Sequence, residues 1–312
     1  MTQGNLFMYH SNDMKKIIIK LIIFSIIIFI SDYTIGKICH FLYVNAKGGY
    51  TERNYSIMHR TTEDILILGS SRATHHYVPS IITDSTGLSC RNCGIDGMGI
   101  ILEYGQLQVI SERYIPSITV IDINAPFCIE TNDNTKYLSY LKMESHNNLI
   151  SEILRDIDKT ERYKCISQMY IYNSQILKLL ADYYAPSILS NDNGYISIKG
   201  VTNNFPTKFN DYDFSVDSIK LKYIEKTITE FKNKTKLIFV ISPVIAATQT
   251  PSVYKPLYLL CEKYNVTLLD YSASYFSLKK EYWKDSAHLN NEGATAFTKQ
   301  FASDLKKLQK DK

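Results

Sequence analysis

Asp285 and His288 stand three residues apart in Asp285-Ser286-Ala287-His288-Leu289-Asn290, close enough for a carboxylate to meet one imidazole nitrogen within a single turn. A carboxylate placed there fixes the tautomer and leaves the other nitrogen as a general base. A base of that kind needs a nucleophile, and Gly69-Ser70-Ser71-Arg72 offers two hydroxyls. These directly follow the apolar run Ile65-Leu66-Ile67-Leu68, where a buried strand gives way to a helix. A hydroxyl in that position is open to a ligand and lies near free backbone N–H groups and the helix dipole. Serine is also a common helix cap, so the turn alone does not choose between the two roles.

Two further segments offer donors to negative charge. In Asn92-Cys93-Gly94-Ile95-Asp96-Gly97 the glycines let the backbone turn tightly and present N–H groups. Asp122-Ile123-Asn124-Ala125-Pro126 closes another apolar run, and the Asn124 amide there can donate to a developing oxyanion. Each segment also reads as an ordinary turn. In this order, however, the four resemble the SGNH hydrolase superfamily, the GDSL-like esterases, over about residues 62–127 and 234–308. The resemblance implies Ser71 as nucleophile, His288 as base and Asp285 as its orienting carboxylate. It implies an oxyanion hole made by the N–H groups of Ser71 and Gly97 with the Asn124 side chain. Ser70 stands where the family motif has Asp, which keeps Ser70 as a second candidate nucleophile. Asp122 and Ala125 replace the glycine and final aspartate of the family's Gly-x-Asn-Asp.

The function so implied is a serine esterase that removes an acyl group, acetyl in the first instance, from an envelope glycan, without cofactor or metal. The alternatives are an O-acyltransferase of cell-surface polysaccharide and a non-catalytic glycan-binding module that assists a membrane acyltransferase. The expected partners are an acylated carbohydrate or other ester and the membrane, with no nucleic acid.

These side chains need a scaffold that brings residues about 200 apart in sequence together. The chain carries one. Apolar strand-like runs at 64–68, 88–92, 118–123, 236–241 and 266–270 alternate with helical patterns at 78–85, 100–112, 216–232, 251–264 and 292–308. That rhythm predicts a parallel sheet covered on both faces; the resemblance makes it a three-layer α/β/α sandwich on a five-stranded flavodoxin-like sheet. The stretch 130–213, rich in Tyr, Asn, Ser and Asp, reads as a mainly helical insertion over the carboxyl ends of the strands, with helices near 148–158 and 168–184. Residues 46–60 read as a polar connector.

The most apolar run, Ile17–Ile30, follows Lys15 and Lys16 and contains Lys20. Fourteen residues span roughly 21 Å against a hydrocarbon core of about 30 Å. It reads as an uncleaved anchor within residues 1–45, ahead of a domain at 46–312, with a cleaved signal peptide as the competitor. Positive charge before the run places the amino terminus in the cytoplasm and the domain outside, periplasmic or extracellular.

The remaining features are plainer. A hydrophobic content of 45% with 21% charged residues excludes a disordered, collagen-like or polytopic membrane chain. A net charge of +4 is too mild to indicate nucleic acid. Six cysteines in 312 residues exclude a disulfide scaffold. Cys90-x-x-Cys93 has metal or redox spacing, but no second pair completes a zinc site, and the pair reads as incidental to a strand and turn. His75 and His76 read as structural, and Arg72 as a helix-start residue with binding of a substrate anion as its alternative.

Overall fold

The three central strands are short runs rich in branched aliphatic residues and buried on both faces, whereas the edge strands are Cys-Arg-Asn and the half-buried Thr-Leu-Leu-Asp. The computed structural model describes residues 3–187 and 192–310. In it β1 (Ile65–Gly69), β2 (Cys90–Asn92), β3 (Ile118–Asp122), β4 (Lys236–Ile241) and β5 (Thr267–Asp270) form one parallel sheet in the order β2-β1-β3-β4-β5. Alternation along the strands feeds two cores. Leu66, Leu68, Ile121, Phe239 and Ile241 point to one face, and Ile65, Ile67, Val120, Ile238 and Val240 to the other.

The helices α1 (Gln3–Val44), α2 (Gly49–Arg60), α3 (Ser71–His76), α4 (Pro79–Thr86), α5 (Ile100–Ser111) and α6 (Ala125–Cys128) accompany the first three strands. The insertion holds α7 (Ser139–Lys142), α8 (Asn148–Ile157), α9 (Glu161–Lys164), α10 (Gln168–Tyr172) and α11 (Ile176–Tyr184). The last part adds α12 (Ser218–Phe231), α13 (Lys255–Tyr264) and α14 (Asn291–Lys310). Helices α3, α4 and α14 cover one face of the sheet, and α5, α12 and α13 the other, giving the expected three layers.

Several local expectations change. Residues 49–60 form α2, not a connector, with Ile57 and Met58 in the core. Helix α5, expected over 100–112, is buried on all sides from Ile100 to Ile110, because α2, α8 and α12 cover the face that a three-layer sandwich leaves to solvent. The helix expected over 168–184 breaks at 173–175 into α10 and α11. The start of the 251–264 helix is a separate 3₁₀ turn, Ser252–Tyr254.

The insertion has two parts. Its helices pack on α1, α2 and α5. Its tail, residues 192–209, is a strap across the carboxyl end of the sheet. The strap bonds to Asn92 from Asn193, to Thr74 from Ile196, to Asn291 from Ile198, to Trp283 from Thr202 and to Ala246 from Phe209. Helix α1 is also divided. Every residue from Met14 to Ser31 is exposed, while Cys39, Leu42 and Tyr43 lie in the core.

Candidate active site

The parallel register pairs Gly69 with Asp122, so the two turns that follow β1 and β3 emerge side by side. Gly69 has φ +153°, and a Cβ there would lie 2.7 Å from the Ala73 side chain; only glycine allows α3 to start this close to the strand. Ser70 then stands at the N-cap position of α3, without a side-chain cap bond, and Ser71 is the first helical residue, so the Ser71 N–H belongs to the first-turn donors that have no acceptor within the helix.

The two serines point to different partners. Ser70 is fully buried, and its Oγ accepts from Asn124 Nδ2 at 3.0 Å. The Ser71 Oγ lies 2.8 Å from His288 Nε2. His288 Nδ1 lies 3.0 Å from both Asp285 oxygens. With Nδ1–H donating to the carboxylate, Nε2 is the ring's acceptor, and it faces the Ser71 hydroxyl.

The Asp-x-x-His geometry is local. Asp285 Oδ1 accepts from the N–H groups of Ala287 and His288 at 2.8 and 2.9 Å, an Asx-type turn rather than a helical one. Burial pushes the Asp285 carboxyl up, but the bonds from the His288 ring and these N–H groups outweigh it, so the group lies below its ordinary value and stays ionised. The two residues after His288 hold the turn in place. Leu289 is buried and donates its N–H to His76 Nε2 at 3.0 Å. Asn290 accepts from Gly293 N–H at the start of α14 and donates to the Gly200 and Glu281 carbonyls.

The segment after β2 acts as a bracket. The Asn92 amide donates to the Ala73 and Tyr77 carbonyls at 2.6 and 2.9 Å, so it holds the middle and the carboxyl end of α3. Its Oδ1 accepts from Gly94 N–H. Gly94 sits against that helix, where a Cβ would be 2.4 Å from Thr74 N. Gly97 lies on the exposed turn beyond, at φ +72°, the left-handed region suited to glycine.

Five further residues lie beside the site, of which Arg53 alone falls outside the segments and residues singled out from the sequence. Arg53 on α2 donates to the Gly94 and Asn92 carbonyls; it was hidden in a segment that reads as a linker. Asp96 Oδ2 meets His75 Nε2 at 3.3 Å. Burial raises the Asp96 carboxyl, yet bonds from His75, Tyr50 and Thr74 prevail and bring it down to about 2. His75 bonds through Nδ1 to the Ile196 carbonyl of the strap at 2.7 Å, and its ring stands edge-on to His288 at 5.3 Å. The residue reads as structural from its place in a short helix, yet its ring lies beside that of His288. His76 is structural: it is fully buried, and burial drives its pKa well below the ordinary range. Arg72 is buried, with Nη1 donating to the Tyr254 hydroxyl at 3.3 Å.

Cys90 and Cys93 are both free and buried. Burial pushes the Cys93 thiol up to about 12, which leaves no reactive thiolate at neutral pH.

No family model matches the chain, and no curated protein matches it. Among solved structures it is similar to one described as "a putative platelet activating factor from Streptococcus pneumonia", with 15% sequence identity and a TM-score of 0.40 over 82% of this chain and 90% of that one. A likeness at that level says nothing about chemistry.

Proposed function

We propose that the protein is a serine hydrolase of ester bonds, with Ser71 as nucleophile. The observation that carries this reading is the continuous line Ser71 Oγ, His288 Nε2, His288 Nδ1, Asp285, each gap at 2.8–3.0 Å. As Ser71 Oγ attacks the ester carbonyl carbon, its proton passes to His288 Nε2. Asp285 holds the ring and balances the imidazolium. The oxyanion is met by the Ser71 and Gly97 N–H groups and by Asn124, whose amide has two hydrogens and commits one to Ser70. Collapse expels the alcohol, protonated by His288, and leaves an acyl group on Ser71. Water, activated by the same nitrogen, then releases the acid; a sugar hydroxyl in place of water would make the same intermediate an acyl donor. An acylated envelope glycan is the substrate class that fits an anchored domain on the outer side of the membrane, the orientation that Lys15, Lys16 and Lys20 favour.

A fluorophosphonate probe on the full-length protein in detergent tests the chemistry. We expect labelling that Ser71→Ala abolishes and Ser70→Ala retains. A folded wild-type protein that takes no label would overturn the reading and leave a glycan-binding module. A reporter fused after residue 312 and found in the cytoplasm would overturn the orientation.

A further inference from the structure

The apolar part of α1 and the helical insertion are usually separate matters, an anchor and a decoration. Here they are joined. Asp32, two residues past the end of the apolar run, accepts from Ser167 Oγ at 2.7 Å and from the Gln168 and Met169 N–H groups at 2.8 Å each. The start of α10 is therefore fixed at the level of Asp32. One turn further, Gly36 leaves room for Gln168, whose Cβ would be 2.3 Å from a Cβ at that position. Another turn up, His40 Nδ1 lies 3.4 Å from the Tyr172 hydroxyl at the other end of α10. Helix α10 thus climbs alongside α1, away from the apolar run, and the α9–α10 corner is its lowest point.

The free length of α1 agrees with that level. Met14–Ser31, exposed throughout, is about 27 Å long at 1.5 Å per residue, close to the ~30 Å hydrocarbon core. With this stretch in a bilayer, Asp32 and the α9–α10 corner lie at the lipid–water interface. The corner exposes Tyr163 (69%), Ile166 (74%) and Met169 (42%), flanked by the exposed cations Arg162 and Lys164, the latter paired with Asp158 and Glu161. On the α1 side at the same level Tyr33 is 53% exposed and Lys37 stands over its ring, a pairing of aromatic ring and cation typical of the interface. Arg162 is exposed beside Tyr163, where a lipid phosphate would meet it.

We propose that the α9–α10 corner, Tyr163, Ile166 and Met169, inserts into the interfacial layer of the membrane that α1 enters. Anchor and corner make a two-point attachment, and the domain is held at a fixed height and tilt rather than swinging on a tether. The occupant of this face is lipid because the face is continuous with the apolar span through the Asp32 bonds. The proposal depends on α1 lying in a bilayer and not on the chemistry at Ser71.

The test uses tryptophan quenching in the full-length protein reconstituted in vesicles containing brominated phospholipids. The single native tryptophan, Trp283, is fully buried and sets the baseline. Ile27→Trp, in the exposed part of α1, reports whether the span is in the bilayer. Ile166→Trp reports the corner. We expect most of the emission added by either new indole to be lost to bromines, with shallow bromine positions the more effective for Ile166→Trp. Quenching at Ile27→Trp with none at Ile166→Trp would overturn the seating of the corner. No quenching at either would overturn the proposal together with the anchor. Pull-down of another protein through the corner, with an unquenched Ile166→Trp, would replace lipid by a protein partner.

Discussion

Asn124 offers one donor to Ser70 in the resting site and has a second to give. Losing one oxyanion donor costs about 2.7–4 kcal/mol, roughly 100- to 1000-fold in kcat. Asn124→Ala should show that loss in the hydrolysis of a short aryl ester with little change in KM, because the donor acts where charge develops. Asp285 differs from its partners in exposure: its side chain is 47% exposed against 22% for His288. Water can replace part of what an exposed carboxylate contributes, so Asp285→Ala should keep more activity than His288→Ala in the same assay. Asp122, below Asn124, is fully buried; burial lifts its carboxyl from 3.8 to about 6, against the bond from Tyr77 and the charge of Arg72. The native state therefore binds this proton more tightly than the unfolded chain does. The stability it provides is complete below pH 4 and is lost as pH rises to 6, a change of roughly 3 kcal/mol at 1.36 kcal/mol per unit. Asp122→Asn removes the titration. Its melting temperature relative to wild type should climb between pH 4 and pH 6 and then level off; a constant difference across that range would refute the assignment.

At the scale of elements, the site depends on how closely the segment after β2 lies on α3. The two glycines of that segment separate packing from backbone strain. A Cβ at Gly94 would meet Thr74 N at 2.4 Å, backbone of α3, whereas one at Gly97 would meet nothing within 4 Å. At φ +72° the cost at Gly97 is conformational, about 1–2 kcal/mol. Gly97→Ala should thus fold, with a modest fall in melting temperature. Gly94→Ala should be the more destabilised of the two, and its activity should fall further than its stability explains, because α3 must shift and takes Ser71 with it. Equal melting temperatures for the two variants would contradict the packing account.

For the molecule as a whole, the exposed apolar stretch gives way to the packed core inside α1. Cys39, Leu42 and Tyr43 are each at most 5% exposed, and Tyr43 donates to Glu144 at 2.7 Å. Each buried apolar side chain of this size contributes about 1.5–3 kcal/mol, against a total of about 5–15 kcal/mol for a typical domain. A chain starting at residue 46 should be unfolded or strongly destabilised. A chain starting at residue 32 should melt close to the full-length protein in the same detergent. Circular dichroism melts of the two truncations check this, and equal melting would show that the second half of α1 adds nothing to the fold.

The parallel sheet is legible in the chain alone, because strands covered on both faces must be largely apolar, and Ile65–Leu68 and Leu237–Ile241 are so without interruption. It also located Asp285 and His288, whose approach is set by a local turn. What only the tertiary structure decided is contact across sequence distance. Ser70 and Ser71 are adjacent and chemically alike; their roles separate because one faces Asn124 after β3 and the other His288 before α14. Helix α2 is not legible in the sequence because much of its buried face is polar, Arg53, Asn54 and Ser56 among it, and hydrogen bonding leaves no periodic apolar pattern to read. Asp32 follows the apolar run within the same helix. Its partners are the Ser167 hydroxyl and two N–H groups at the start of α10, the first 135 residues away, which offset the desolvation of its carboxylate.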